Sequence, residues 1–308
     1  MGTPRWQAYV VLGIGVSAVS WAAILVREAH APALVIAAYR LVLAALPMGA
    51  LAVYQSASGG RAREPISRAS IAPLVLSGAL LAAHFGFWIA ALQRTSVVTA
   101  VVLMATQPLI VGIASPLLLR EPVARRVWFA LAVALAGTAT MTVAHVGKGF
   151  GTVTGDLYAI LGGFFAACYL MVGRSMRPGT SWLRYVGVVY PVAAVFLFAA
   201  VLIARDPLTG YSTKTLVMIA LMALGPQLVG HSAINWALGF LPVMLVAMSI
   251  LVEPVAATAL AALILNERPS PAEMAGGVLV LIGVYLALRP ERGESPLADL
   301  PAAELAVD

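Results

Sequence analysis

Two charged side chains lie deep within long apolar segments of this sequence. Glu253 is at the centre of the apolar run 241–265, about 18 Å from either end at ~1.5 Å of helical rise per residue. A charge at the middle of a membrane-spanning helix costs at least about 2.5–3.5 kcal/mol. We therefore expect Glu253 to face a wet cavity, where it binds a cationic group or exchanges a proton. The alternative is a structural carboxyl bonded to a neighbouring helix or paired with Arg40.

Arg40 is the second of these residues, in the apolar run 32–53 and nearer one of its ends. Contact with a substrate or with Glu253 is one interpretation. The other is that its long side chain extends to the membrane surface, as arginines near helix ends commonly do.

Uncharged polar and aromatic residues recur at spacings of three and four, which places them on common helical faces. Such faces surround a cavity or form hydrogen bonds between packed helices, and two of the aromatic residues, Trp88 and Trp236, also suit the membrane interface. A cavity of this kind suits amino acids, bases or similar metabolites. The residues that we assign to it, besides Glu253 and Arg40, are Gln107, Gln227, His231, Asn235, His84, Trp88, Ser20, Trp21 and Tyr169.

Helix-breaking residues fall inside three of the apolar runs. Pro108, Pro254 and the pair Gly225 and Pro226 leave backbone carbonyls without their usual partners and allow a helix to bend. We predict hinges at these positions, with static packing as the alternative.

Composition shows which elements must position these residues. Of the 308 residues, 61% are hydrophobic and 10% are charged, against about 25% charged in ordinary soluble domains. With a mean hydropathy of +0.95, the sequence predicts an all-α polytopic membrane protein. The net charge of +6 comes from basic residues between apolar runs, which is typical of topology signals and does not indicate nucleic-acid binding. The ten predicted spans are 7–26, 32–53, 71–92, 97–119, 127–144, 157–173, 181–204, 215–238, 241–265 and 272–289.

The distribution of arginines predicts the orientation. Placing the N-terminus in the cytoplasm puts most of them on the cytoplasmic side, so both termini are expected there, in a plasma or inner membrane. The polar, acidic segment 290–308 is expected to be a disordered cytoplasmic tail.

The chain also repeats itself. Pro108, Glu121 and Gly137 recur 146 residues later as Pro254, Glu267 and Gly283. The predicted repeats, 7–144 and 155–289, hold five helices each, and an odd number inverts the second repeat relative to the first. Inverted repeats favour transport by alternating access around a midplane site.

Two stretches carry a family resemblance: QPLIVGIASPLLLREPVARRVWFALAVALAG and EPVAATALAALILNERPSPAEMAGGVLVLIG, together with AYRLVLAALP in the second helix. They resemble the EamA family of the drug/metabolite transporter (DMT) superfamily over about residues 10–288. The resemblance implies a solute exporter or exchanger, with a cavity lined by helices one to four and six to nine. The second repeat departs from this pattern in its own second helix, where Tyr190 and Pro191 occupy the positions equivalent to Tyr39 and Arg40. The second repeat therefore has no equivalent of Arg40, so any role of Arg40 is asymmetric.

Glu121 and Glu267 lie at helix ends. We interpret them as acidic residues at the start of the next helix, where the helix dipole favours negative charge. The alternative is a gate formed with a nearby arginine.

Other function classes receive less support. The sequence has neither HExxH nor GxSxG, and its histidines and Cys168 are scattered, so we predict no enzyme, cofactor or metal site. A channel-like pore and a membrane-embedded enzyme remain the alternatives to a secondary transporter.

The expected partners are a small-molecule substrate, the lipid bilayer and protons as a coupling ion. Substrate, direction and oligomeric state stay open.

Overall fold

The computed structural model describes residues 5–58, 67–95, 97–143, 152–264 and 269–289. Within these ranges the chain is helical and has no strand, as expected where lipid cannot satisfy an open sheet edge. The predicted tail, 290–308, and Glu267 lie outside the described residues.

In the described residues ten helices follow one another, and nine of them are long and apolar enough to cross a bilayer. The exception, the fifth, packs along the tenth. The helices are α1 (Arg5–Val19 and Ala22–Glu28), α2 (Ala33–Ala57), α3 (Arg68–Leu92), α4 (Val97–Met104 and Gln107–Leu118), α5 (Arg125–Val143), α6 (Val153–Ser175), α7 (Trp182–Ala204), α8 (Thr213–Met222, a π-helical segment Ala223–His231, and Ser232–Ala237), α9 (Val243–Ile250 and Glu253–Ile264) and α10 (Pro271–Leu288).

Hydroxyl side chains mark where five of these helices begin. Each accepts a hydrogen bond from the backbone N–H three residues later, which satisfies one of the free donors at a helix N-terminus. In α10 the arrangement is reciprocal, because the Glu273 carboxylate also accepts the backbone N–H of Ser270 at 2.7 Å. The five capping residues are Ser67, Thr152, Ser181, Ser212 and Ser270.

The contact between α5 and α10 shows that the two halves are inverted. A Cβ on Gly137 would lie 2.6 Å from the Gly276 carbonyl oxygen, and one on Gly283 would lie 2.7 Å from the Ala130 carbonyl oxygen. Ala130 and Gly276 are 146 residues apart, like the two glycines, so the contact is the same from both sides, as across a twofold axis. Along α5 Gly137 comes after Ala130, whereas along α10 its contact Gly276 comes before Gly283, so the two helices run antiparallel.

The same pseudo-twofold relation appears in the broken helices. α4 is interrupted between Met104 and Gln107, and α9 between Ile250 and Glu253, again 146 residues later. The chain is therefore built from two inverted five-helix repeats. α5 and α10 contribute no residue to the central cavity described next.

Candidate functional site

A small cavity lies between the two halves, at the level where α4 and α9 are broken. Its volume is about 40 Å³. Since one water molecule needs about 10–15 Å³ of cavity volume, the cavity has room for about three waters. Residues from α1, α2, α3, α4, α6, α8 and α9 line it. The polar and aromatic members of the lining are Arg40, His84, Phe85, Trp88, Gln107, Tyr169, His231 and Glu253.

Glu253 and Gln107 occupy equivalent places in the two repeats. Each is the first residue after the break in its helix, and the side chains are 4% and 3% exposed. A second small pocket lies between the two breaks, and its lining consists entirely of residue pairs 146 apart in the sequence. The pairs are Val101 and Ala247, Met104 and Ile250, Ala105 and Leu251, Gln107 and Glu253, and Pro108 and Pro254. The pseudo-twofold axis therefore passes between Gln107 and Glu253.

Arg40 is fully buried beside this cavity, so its side chain does not extend to the membrane surface. Its Nε donates a hydrogen bond to Gln227 Oε1 at 2.9 Å, and its guanidinium carbon lies 4.0 Å from the centre of the Phe85 ring. Among the described residues, its two terminal nitrogens have no hydrogen-bond partner and form no ion pair with Glu253. Gln227 does not line the cavity but orients the arginine.

The structure brings the two buried histidines together. The His84 and His231 rings are 6.2 Å apart, and His84 Nδ1 is hydrogen-bonded to the Gly162 carbonyl oxygen at 2.9 Å. No group of three or more His, Cys, Asp and Glu side chains that could hold a metal occurs in the described ranges. The pair therefore adds polar and aromatic surface to the cavity wall.

Asn235 lies behind the wall rather than in it. Its Nδ2 donates to Tyr169 Oη and to the His231 carbonyl oxygen, both at 2.7 Å, and so positions the tyrosine that does line the cavity. Trp88 is 3% exposed and lines the cavity.

Two residues of α1 lie elsewhere than we expected. Val19 and Ala22 take the cavity-facing positions, whereas Trp21, at the interruption between the two segments of α1, is 43% exposed. Ser20 is buried, and its hydroxyl donates to the Val16 carbonyl oxygen at 2.8 Å. Ser20 and Trp21 therefore do not line this cavity, and their place at a substrate site stays a prediction.

The helix-breaking residues lie at irregular backbone. Pro108 and Pro254 are the second residues after the breaks in α4 and α9. Gly225 and Pro226 lie in the π-helical segment of α8, a feature that is frequent at functional sites. Hinge motion at these positions stays a prediction.

Glu121 has a different role in the structure from the one we favoured. α5 begins only at Arg125, and the Glu121 carboxylate instead accepts the Val243 N–H at 3.0 Å, at the start of α9. Its other oxygen pairs with Arg174 Nε at 2.5 Å, and Arg174 also donates to the Leu238 carbonyl oxygen at 2.8 Å. These four residues, the Glu121 cluster, join the ends of α4, α6 and α8 to the start of α9. The sequence offered a nearby arginine as the alternative partner of Glu121 but did not identify it as Arg174.

Comparison with known proteins agrees with this architecture. The chain is similar to a solved crystal structure, and the match spans 92% of this chain and 97% of the other. The TM-score is 0.72 and the sequence identity is 21%, which shows a shared fold. No curated protein matches the chain. The model of the EamA-like transporter family matches twice, over residues 5–143 and 153–289. The chain therefore belongs to the EamA-like transporter family, within the DMT superfamily of multi-pass membrane transporters.

Proposed function

We propose that this protein is a secondary transporter that exports or exchanges a small zwitterionic metabolite, such as an amino acid, by alternating access. The observation that carries the proposal is that Arg40 and Glu253 line the same cavity without pairing with each other.

Buried charges are costly unless a partner compensates them. Arg40 presents two unpaired terminal nitrogens, the geometry that binds a carboxylate through two parallel hydrogen bonds. Glu253 supplies the opposite charge, which suits an ammonium group. A solute that carries both groups satisfies both side chains at once, with Gln107 and Tyr169 as further hydrogen-bonding groups.

The cavity is too small for such a solute in this conformation. Its volume of about 40 Å³ falls well below the roughly 300–1,000 Å³ of typical ligand sites. Binding therefore requires the halves to move apart on one side. The breaks before Gln107 and Glu253 are the natural places for this bending, because hydrogen bonds to the third residue back, such as Thr106 N–H to Leu103 and Val252 N–H to Ser249, interrupt the regular α-helical pattern there.

The charge distribution supports an orientation with both termini and the Glu121 cluster on the cytoplasmic side of a plasma or inner membrane. Glu253 is also our candidate for carrying a coupling proton, because it is the acidic side chain at the cavity.

Counterflow with the purified protein in liposomes tests the proposal. Liposomes loaded with unlabelled amino acids should accumulate labelled amino acids from a pool, and nucleobases serve as the comparison pool, each with and without a proton gradient. A channel-like pore would give flux without stimulation by solute on the opposite side. Absence of counterflow with every pool, from protein shown to be folded, would overturn the transporter proposal.

The role of Arg40 can be tested separately from that of Glu253. Arg40→Gln should abolish counterflow of amino acids but weaken that of a matched amine without a carboxylate far less. Equal losses for both solutes would contradict the assignment of Arg40 to the carboxylate.

A further inference from the structure

A second buried arginine lies outside the cavity, close to the Glu121 cluster. Arg177 follows α6 in a short 3-10 turn and is 6% exposed. Its Nε donates to the Gly173 carbonyl oxygen at 3.1 Å, and its guanidinium carbon lies 4.3 Å from the centre of the Tyr185 ring. Neither terminal nitrogen has a hydrogen-bond partner in the part of the chain that the structure describes.

This environment repeats that of Arg40. In both cases Nε is bonded to an oxygen of the protein, an aromatic ring covers one face of the guanidinium, and the two terminal nitrogens are left without partners. The Nε hydrogen bond and the aromatic ring fix the plane of the guanidinium. The two terminal N–H groups that remain can donate to both oxygens of a carboxylate. A buried arginine with a purely structural role is expected to have its donors satisfied, because each unsatisfied donor is costly.

Polar side chains connect Arg177 to the cavity. Tyr169 lines the cavity, and its ring centre lies 6.4 Å from that of Tyr185, the ring that Arg177 covers. The Tyr185 hydroxyl is hydrogen-bonded to that of Ser77. Arg177 is also only seven residues beyond Leu170 of the cavity lining, about 10 Å along the chain at helical rise. Arg177 follows Arg174 of the Glu121 cluster along the chain, but its side chain turns back, because its Nε is bonded to the Gly173 carbonyl oxygen. The guanidinium therefore lies on the side of the cavity that carries the Glu121 cluster, the Glu121 side.

We propose that Arg177 is a second anion-binding subsite, which holds the carboxylate of the transported solute between the cavity and the Glu121 side. This rests on the proposed function. The subsite is filled when the protein opens towards the Glu121 side, and the carboxylate then passes between Arg177 and Arg40. The solute thus never crosses this part of the path without a guanidinium partner.

Anion binding tests the subsite without any transport. Acetate is titrated into the purified protein, and thermal unfolding is followed for the wild type, Arg177→Gln and the control Arg125→Gln, an exposed arginine on the same side. Arg177→Gln should raise the Tm in the absence of acetate, because it removes a buried charge that has no counterion. It should also lose part of the acetate-dependent rise that the control retains. A lower Tm together with the full acetate response would overturn the proposal.

Transport from each side gives the second measurement. The assay uses liposomes in which all of the protein has one orientation. Arg177→Lys keeps the positive charge but loses the paired N–H donors of the guanidinium. It should raise the KM for amino acids offered on the Glu121 side about tenfold, the effect of losing about 1.4 kcal/mol of binding, and leave the KM from the other side unchanged. Equal KM changes on the two sides would refute the subsite while leaving the proposed function intact. If the wild type moves no solute but its acetate response depends on Arg177, the proposed function fails, and with it the assignment of the subsite to a transported solute, while an anion-binding site at Arg177 is retained.

Discussion

The Glu121 cluster offers a direct test of gating. In Glu121→Gln the amide oxygen can still accept the Val243 N–H, but the amide nitrogen faces the donor Nε of Arg174. The variant therefore loses one charge-assisted hydrogen bond between side chains that are only 15% and 21% exposed. Such a bond contributes about 1.5–3 kcal/mol, and the lower value alone corresponds to about a tenfold change in an equilibrium constant.

The cluster joins the ends of helices that belong to both repeats, so this loss should favour opening on the Glu121 side. The assay is the labelling rate of Leu170→Cys, at a cavity position 3% exposed, by a maleimide that does not cross membranes. The background is Cys168→Ser, which removes the native thiol. Labelling from the Glu121 side should be about tenfold faster in Glu121→Gln.

Two controls make the result decisive. Arg174→Gln should accelerate labelling similarly, and the double variant should add little, because both changes remove the same contact. Glu28→Gln removes an exposed ion pair with Lys214 and should leave the rate unchanged. An unchanged rate in both Glu121→Gln and Arg174→Gln, or faster labelling only from the opposite side, would refute the gating argument.

Three further predictions concern the site and the fold. Glu253→Gln should abolish transport or uncouple it from the proton gradient while expression is retained; wild-type kinetics and pH dependence in the liposome assay would contradict the assignment. Pro254→Ala restores a backbone donor beside the break in α9 and should lower the turnover rate more than it changes substrate affinity, measured as kcat and Kd; an unchanged kcat would count against a hinge. Gly137→Ala should destabilise the protein by about 1–3 kcal/mol, because the new Cβ would lie 2.6 Å from the Gly276 carbonyl oxygen. Gly49→Ala, where nothing lies within 4 Å of the new Cβ, is the control, and equal Tm values for the two variants would contradict the packing argument.

The cavity shows how far a helical spacing rule extends. Glu253 was predicted from the cost of burying a charge in lipid, and His84 and His231 from their places on polar helical faces, and all three line the cavity. Trp21 satisfied the same rule but is exposed, because spacing relates residues within one helix and does not say which face of that helix meets the others.

By itself, the sequence determined that the chain spans a membrane as inverted five-helix repeats. Both conclusions follow from local properties: apolar length against bilayer thickness, and a repeat period that contains an odd number of helices. The same period placed the breaks in α4 and α9 at equivalent positions. These features needed no knowledge of which helices touch.

Only the tertiary structure decided which charges pair. Glu121 and Arg174 are 53 residues apart in the sequence and meet where helix ends converge, whereas Arg40 and Glu253 share a cavity and remain separate. Arg177 sits at a helix end, where a surface position is the ordinary expectation, yet the folded chain buries it with its guanidinium over the Tyr185 ring. Pairing depends on separations of a few ångströms between distant segments, and the packing of helices, rather than any local pattern, sets those separations.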